Sequence, residues 1–302
     1  MKYHLSIHLF PYEIDNYQTF IHQLRRNLNY TKDEIIFSPC LNLSHYFYDW
    51  DNSTLPSDYF INRFNELNNI VKEKCKIDET ISWGEKILGG LSCKVSSLEK
   101  YKEEVDAFLW FDSDIIFPDN TIAMLIEGHK LDPHHCIVSP QIVRLWDDTW
   151  DVLVNKDYIN TPPSYEDYFA FDGYDLYKHK NEDILLIKNQ QGFKFAAGWG
   201  TLLSSDLFKD YINLTYHFGH YGSADDTFIM GVLDYYKFIK NKNINQYIIQ
   251  NLVVTENHKH NLNQYNGLIE KKPNTKTKEE FNNDVIKVMD EEYIKIINNT
   301  NK

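Results

Sequence analysis

Asp112 and Asp114 stand one residue apart where an apolar run, Ala107-Phe108-Leu109-Trp110-Phe111, comes to its end. A strand alternates its side chains, so an i, i+2 pair leaving a strand end points to one side and can share a hard divalent cation. A cation held there would face diphosphate oxygens. A second acidic pair, Asp225-Asp226, follows Phe218-Gly219-His220-Tyr221-Gly222-Ser223-Ala224, a glycine-containing loop that delivers both carboxylates to a helix amino terminus. Either one can serve as a general base toward an acceptor hydroxyl. Thr255-Glu256-Asn257-His258-Lys259-His260, just past a predicted strand, offers an imidazole able to complete a carboxylate metal site. Each cluster also has a plainer reading. D-x-D is short and common in solvated turns, first-turn acids complement a helix dipole, and single histidines are often surface residues. Their occurrence together in one chain favours the chemical reading.

The elements that must carry these residues alternate. Residues 3–10 read as a strand, 14–29 as a helix with Phe20, Ile21, Leu24 and Leu28 at helical spacing, and 34–43 as a second strand. Residues 57–74 form a helix whose stripe is Phe60, Phe64, Leu67 and Val71, and a helix over 97–104 feeds the strand that ends in the acidic pair. Pro118 and Asp119-Asn120 then open a helix over 121–130. Strands follow at 136–145, at 193–203 (broken by Gly198-Trp199-Gly200) and at 247–255, with a helix from about 225 to 240. This order predicts an α/β fold with a mixed, mostly parallel central sheet flanked by helices. In such sheets ligands lie beyond the carboxyl ends of the strands, so Pro11-Tyr12-Glu13, Leu41-Asn42-Leu43 and Asp112-Ser113-Asp114 are expected to line one crevice. Residues 146–189 are aromatic and acidic with little periodicity, which suggests an excursion over the site. The expected division is a domain over 1–265, with a nucleotide-binding half (1–130) and an acceptor-binding half (131–265), and a helical extension over 266–302.

Composition narrows the partners. The 302 residues are 42% hydrophobic and 15% aromatic, enough for a packed core. With 31 basic and 44 acidic side chains, the net charge of −13 argues against a double-stranded nucleic acid or an anionic membrane as partner. No segment has the apolar length of a transmembrane span and the first ten residues do not read as a signal peptide, so a cytoplasmic protein is expected. The cysteines Cys40, Cys75, Cys93 and Cys136 lie far apart without C-x-x-C, and they read as reduced thiols without a zinc site or a disulfide framework.

Over residues 3–260 the order of motifs resembles the GT-A class of nucleotide-sugar glycosyltransferases. The resemblance rests on Phe111-Asp112-Ser113-Asp114, on Phe195-Ala196-Ala197-Gly198-Trp199-Gly200-Thr201, on Gly222-Ser223-Ala224-Asp225-Asp226 and on His258. The last three are similar to the galactosyltransferase arrangement, with Ala224 standing where that family has Glu. The resemblance implies a GT-A fold, a Mn²⁺ or Mg²⁺ ion, a nucleotide-sugar donor (a UDP-sugar foremost) and a glycan or other hydroxyl acceptor. It implies Asp114 and His258 as metal ligands, and Asp112 as a further ligand or a ribose contact. Pro11, Tyr12, Glu13 and Ser113 would flank the nucleotide, Asn42 its base or ribose, and Trp199 and Gly200 the donor sugar and acceptor pocket. Tyr165, Tyr168, Phe169 and Tyr174 would meet the acceptor. Matching the galactosyltransferase loop makes Asp225 the base, and matching the general motif of inverting enzymes makes it Asp226, the preferred choice. A retaining glycosyltransferase and a sugar nucleotidyltransferase also accommodate a D-x-D strand end, although Pro11-Tyr12-Glu13 is unlike the glycine-rich phosphate loop of the latter. A non-catalytic sugar-nucleotide or glycan binder on the same scaffold is the alternative outside enzymes.

Overall fold

The computed structural model describes residues 1–43, 57–82, 90–142, 186–188, 199–209, 228–229, 232–233 and 235–256. In chain order the strands are β1 (Lys2–Leu9), β2 (Glu34–Asn42), β3 (Lys76–Ile77), β4 (Thr80–Ser82), β5 (Ala107–Asp112), β6 (Ile115–Ile116), β7 (Cys136–Ile142), β8 (Leu186–Lys188), β9 (Trp199–Ser204) and β10 (Asn245–Glu256). The helices are α1 (Ile14–Asn27), α2 (Ser57–Asn69), α3 (Gly90–Tyr101), α4 (Thr121–Leu131) and the short α5 (Asp206–Lys209).

Strand β1 shows why the sheet is covered on both faces. Tyr3, Leu5, Ile7 and Leu9 enter one core, whereas His4, Ser6 and His8 alternate with them and are also buried. Strand β5 divides in the same way: Ala107, Leu109 and Phe111 join the first core, and Phe108 and Trp110 join a second. Helices α1, α2 and α4 cover the first face through Tyr17, Phe20, Leu24, Phe64, Leu67 and Leu125. Val95, Leu98 and Tyr101 of α3, with Leu207, Phe208, Phe228 and Val232, cover the second. Burial on both faces explains the near-continuous apolar runs of the central strands.

Among the described residues, ten strands make the sheet, in the order β3-β2-β1-β5-β9-β7-β10-β6, with β4 also on β2 and β8 also on β10. Strands β1, β2, β3, β4 and β5 are mutually parallel, as are β7 and β10. Strand β9 runs antiparallel between β5 and β7. The mixed, mostly parallel α/β sheet expected from the sequence is therefore present.

Several boundaries differ from the sequence reading. Helix α2 stops at Asn69, and the residues up to 75 wind as turns in which Lys74 and Cys75 donate to the Val71 carbonyl. Helix α3 begins at Gly90 and ends at Tyr101, so most of it precedes the segment expected to be helical. The acidic turn does not lead straight into a helix. Strand β6 intervenes and pairs antiparallel with Thr255 and Glu256 of β10. Strands of two or three residues, β3, β4, β6 and β8, carry no readable period. Among the described residues, no helix is long and apolar enough to cross a membrane.

Candidate functional site

The parallel register brings the expected loops to one edge. Leu9 lies opposite Leu41, and His8 lies opposite both Cys40 and Asp112, so the chain leaves β1, β2 and β5 at one level. From β1 it passes through Phe10 into a 3-10 turn, Pro11–Glu13. The Glu13 N–H donates to the Phe10 carbonyl (2.9 Å), and the Phe10 N–H returns a bond to Glu13 Oε2 (2.7 Å). Ser113 Oγ donates to Glu13 Oε1 at 2.8 Å, so this carboxylate ties the end of β1 to the acidic turn after β5. Burial pushes the Glu13 carboxyl up to about 7; the bonds from Phe10 and Ser113 oppose the shift, the charge of Asp112 adds to it and that of Lys94 opposes it.

Asp112 closes β5 with its side chain 53% exposed, and Asp114 is half-buried in the turn that follows. Asp112 Oδ1 accepts a bond from Lys94 Nζ at 2.9 Å. Lys94 is the surprise of the site, because its side chain is only 2% exposed and its ammonium also lies 5.8 Å from the Trp110 ring centroid. A buried ammonium is costly unless it is paired, so the contact with Asp112 is what makes its place tolerable. The sequence reading missed this residue. The available signal was a lysine sharing a helical stripe with Val95, Leu98 and Tyr101.

Asn42 is fully buried and its Nδ2 donates to His8 Nε2 at 3.3 Å. Burial first, and then the Lys94 charge, lower the His8 pKa to about 3 against a smaller opposing pull from Asp112, so the ring is neutral near pH 7. Two amides of α1 hold the backbone after the acidic turn. Gln23 accepts from the Phe117 N–H (2.8 Å) and donates to the Ile115 carbonyl (3.2 Å). Asn27 donates to the Pro118 carbonyl (2.9 Å) and accepts from the Ile122 N–H (2.9 Å), capping α4 from another helix. Both amides sit one helical turn apart on the buried side of α1, and they also escaped the sequence reading.

Trp199 and Gly200 start β9 beside the end of β5. Trp199 is 2% exposed and belongs to the core, so it contributes packing beneath the crevice and no open aromatic face. Gly200 is the extra residue of a bulge, since Thr201 pairs with Trp110 and Trp199 with Phe111. Its φ is +106°, and a Cβ there would lie 2.8 Å from Phe111 Cε1. Only glycine suits that position.

The residues present fit a hard divalent cation. Asp112 and Asp114 supply oxygen donors at one turn, and magnesium-type sites use one or two carboxylates with substrate phosphates completing the shell. Among the described residues, no three His, Cys, Asp or Glu side chains gather into a metal site by themselves. Asp225, Asp226 and His258 lie outside the described residues, as do Tyr165, Tyr168, Phe169, Tyr174 and the extension over 266–302.

No protein-family model matches the sequence, and no curated protein does. Solved structures with a related course of the chain include Staphylococcus aureus TarS 1–349 (14% identity, TM-score 0.48, 85% of this chain and 60% of that one). The same protein in complex with UDP-GlcNAc gives 12% identity and a TM-score of 0.49, over 85% of this chain and 59% of that one. The mannosyltransferase PcManGT of Pyrobaculum calidifontis, in complex with GDP-Man and Mn²⁺, gives 9% and 0.47, over 84% and 56%. The chain thus spans about 60% of the length of these structures.

Proposed function

We propose that the protein is a metal-dependent glycosyltransferase that moves a sugar from a nucleotide-sugar donor, UDP-linked in the first instance, to a hydroxyl of a glycan or other acceptor, with inversion at the anomeric carbon. The observation that supports this reading is the carboxyl edge of the sheet. There the Asp112-Ser113-Asp114 turn stands level with Pro11–Glu13 and Asn42, beside a buried ammonium. Ligands of open α/β sheets bind at this edge.

Asp114 and Asp112, joined by His258, would hold the cation, Mn²⁺ or Mg²⁺. When bound, that ion neutralises charge developing on the diphosphate leaving group, so no acid is needed there. Lys94 sets a fixed positive charge beside Asp112 and holds that carboxylate in orientation. Glu13 and Ser113 hold the nucleotide side of the crevice in shape, with Pro11 and Tyr12 at its rim and Asn42 positioned through His8. Gly200 lets β9 pass close to Phe111 and so shapes the sugar side. Asp226, or its neighbour Asp225, takes the proton of the acceptor hydroxyl as that oxygen attacks the anomeric carbon and the bond to the diphosphate breaks.

Calorimetric titration of UDP with and without Mn²⁺ tests the binding half of the reading. Asp114→Ala is expected to abolish the metal-dependent component, and unchanged affinity would remove Asp114 from its role. Asp226→Asn is expected to keep donor binding while lowering turnover by roughly 10²–10⁴-fold. Near-normal turnover in that variant would move the base to Asp225. Donor binding without turnover under any acceptor would leave a binding protein, and a retained anomer by NMR would exclude inversion.

A further inference from the structure

Cys40 and Cys93 are 53 positions apart in sequence, yet their sulfurs approach to 2.7 Å. Both are free thiols, Cys40 buried near the end of β2 and Cys93 half-buried on α3. Their separation exceeds the ~2.05 Å of a disulfide bond but is closer than unbonded sulfurs ordinarily stand. The remaining thiols face oxygen instead: Cys136 Sγ lies 3.2 Å from Ser204 Oγ, and Cys75 Sγ lies 3.6 Å from the Val71 carbonyl. A cleft of about 180 Å³ reaches both members of the pair, walled by Ser38, Thr80, Ser82, Ser96 and Ser97. Asp78, Lys100 and Pro39 complete the lining, so the cleft offers charged and hydroxyl groups beside apolar surface to a small polar solute.

We propose that Cys40 and Cys93 are a modification site, a dithiol that exchanges with a low-molecular-weight disulfide of the glutathione type to form an internal disulfide stapling α3 to β2. The Cys93 thiolate attacks one sulfur of glutathione disulfide, whose S–S bond breaks and releases one glutathione thiolate, which takes up the proton lost by Cys93. Cys40, already in contact, then gives up its proton and attacks Cys93 Sγ, and the second glutathione leaves. Two protein thiols are oxidised by two electrons, and one glutathione disulfide is reduced to two thiols. The order follows from environment, because the hydrogen bond with Cys93 and burial together raise the Cys40 thiol well above its ordinary range, and Cys93 is the more exposed partner. Cys93 immediately precedes Lys94, so the staple fixes the helical turn that sets the ammonium against Asp112.

The reduced chain, treated with glutathione disulfide and then alkylated under denaturing conditions, is expected to take up two alkyl groups, on Cys75 and Cys136, and to lose two hydrogens at the pair, where the untreated chain takes up four alkyl groups. A non-reducing digest should join the Cys40 and Cys93 peptides. Cross-linking restrains the unfolded chain, so the melting temperature should rise by several degrees and fall back with dithiothreitol. Amide exchange in α3 should slow about tenfold. Cys93→Ser and Cys40→Ala should each abolish the linked peptide and the melting shift, and if either variant fails to fold, the peptide map of the parent decides alone. Glutathione retained stably on Cys93, or Cys75 and Cys136 modified while the pair stays reduced, would overturn the proposal. These readouts stand apart from any glycosyl transfer.

Discussion

The two ends of the central sheet treat charge in opposite ways. At the amino end, Lys130 bridges Asp33 (2.8 Å) and Glu127 (2.7 Å), Lys2 Nζ reaches Glu34 (3.4 Å), and the Lys2 N–H bonds to Asp106 (2.7 Å). The side chains of Lys2 and Lys130 remain 28% and 32% exposed, although Asp33 is 10% exposed; burial works against its ionised form, and the bonds from Lys130 and the amino terminus outweigh that and hold its carboxyl below the usual range. At the carboxyl end, Lys94 is almost fully buried, Glu13 is pushed up to about 7 and His8 is held neutral. Packing alone gives no reason to bury an ammonium where a methionine would fill the same space. Buried histidines, His4 and His129, are shifted at the amino end as well; what marks the carboxyl end as the candidate site is an almost fully buried ammonium beside a raised carboxyl where the strands open.

The hardest strike at the carboxyl end is Gly200→Val. The left-handed φ costs about 1–2 kcal/mol for a residue with a Cβ, and the overlap with Phe111 adds about 1–3 kcal/mol. A loss of roughly 2–5 kcal/mol by chemical denaturation is the expected sum. A variant as stable as the parent would show that the bulge is no fixed part of the site's wall.

Lys94→Met sharpens the comparison further, because stability and function should separate. Asp112 is half exposed and can be hydrated when its partner is lost, so the melting temperature should hold or rise. UDP affinity in the presence of Mn²⁺ should fall about 10–100-fold, the cost of about 1.4–2.8 kcal/mol expected of a charge-assisted contact. If stability and affinity fall together, Lys94 is a structural residue and the functional reading of this end weakens.

Lys94 also shows where sequence reasoning reached its limit. Strongly periodic segments were legible: the α1 stripe of Phe20, Ile21 and Leu24, the stripe of α2, and the apolar run of β5 ending at Asp112 all occupy the expected element types. A lysine in α3, by contrast, reads as a solvent-facing residue, and it interrupts the apolar pattern that would have extended the helix back to Gly90. The contact between Cys40 and Cys93 and the anchoring of residues 115–122 by Gln23 and Asn27 depend on tertiary proximity, which no local period encodes. Gly198-Trp199-Gly200 reads in the sequence as a break in a strand over 193–203, of which the residues before Trp199 lie outside the described residues. That Gly200 is the bulged residue, held by the Phe111 ring, follows only from the β5–β9 register.

Titration contrasts the two ends of β1. The folded Glu13 carboxyl at about 7 lies above its ordinary 4.5, so its contribution to stability is complete below 4.5 and is lost as pH rises through 7. His4, near the amino end, is fully buried with Nε2 2.8 Å from Ser38 Oγ, and burial lowers it from 6.5 to about 3. Its contribution is present above 6.5 and is lost as pH falls toward 3. Melting followed against pH should therefore decline on both sides of mildly acidic pH. Glu13→Gln is expected to flatten the alkaline limb by about 1–2 kcal/mol while leaving the acid limb in place. An alkaline limb unchanged by Glu13→Gln would mean that the carboxylate is better solvated than its burial implies.

Lys130→Ala should have the smallest effect, and for that reason it tests the amino end most directly. Its two ion pairs are short, but the lysine is 32% exposed and Glu127 is 56% exposed, and Asp33, only 10% exposed, keeps the amino terminus of Met1 as a partner at 2.9 Å, so little of what the bonds supply is lost for good. Pairs of this kind contribute roughly 0–1 kcal/mol, and the expected loss lies within that range, shrinking further in high salt as the remaining attraction is screened. Nucleotide affinity should stay at the parental value, since the substitution is made at the opposite end of the strands. A loss larger than that of Lys94→Met would reverse the assignment of the two ends: the amino end would then depend on its charges for folding, and the buried ammonium would lose its standing as the mark of function.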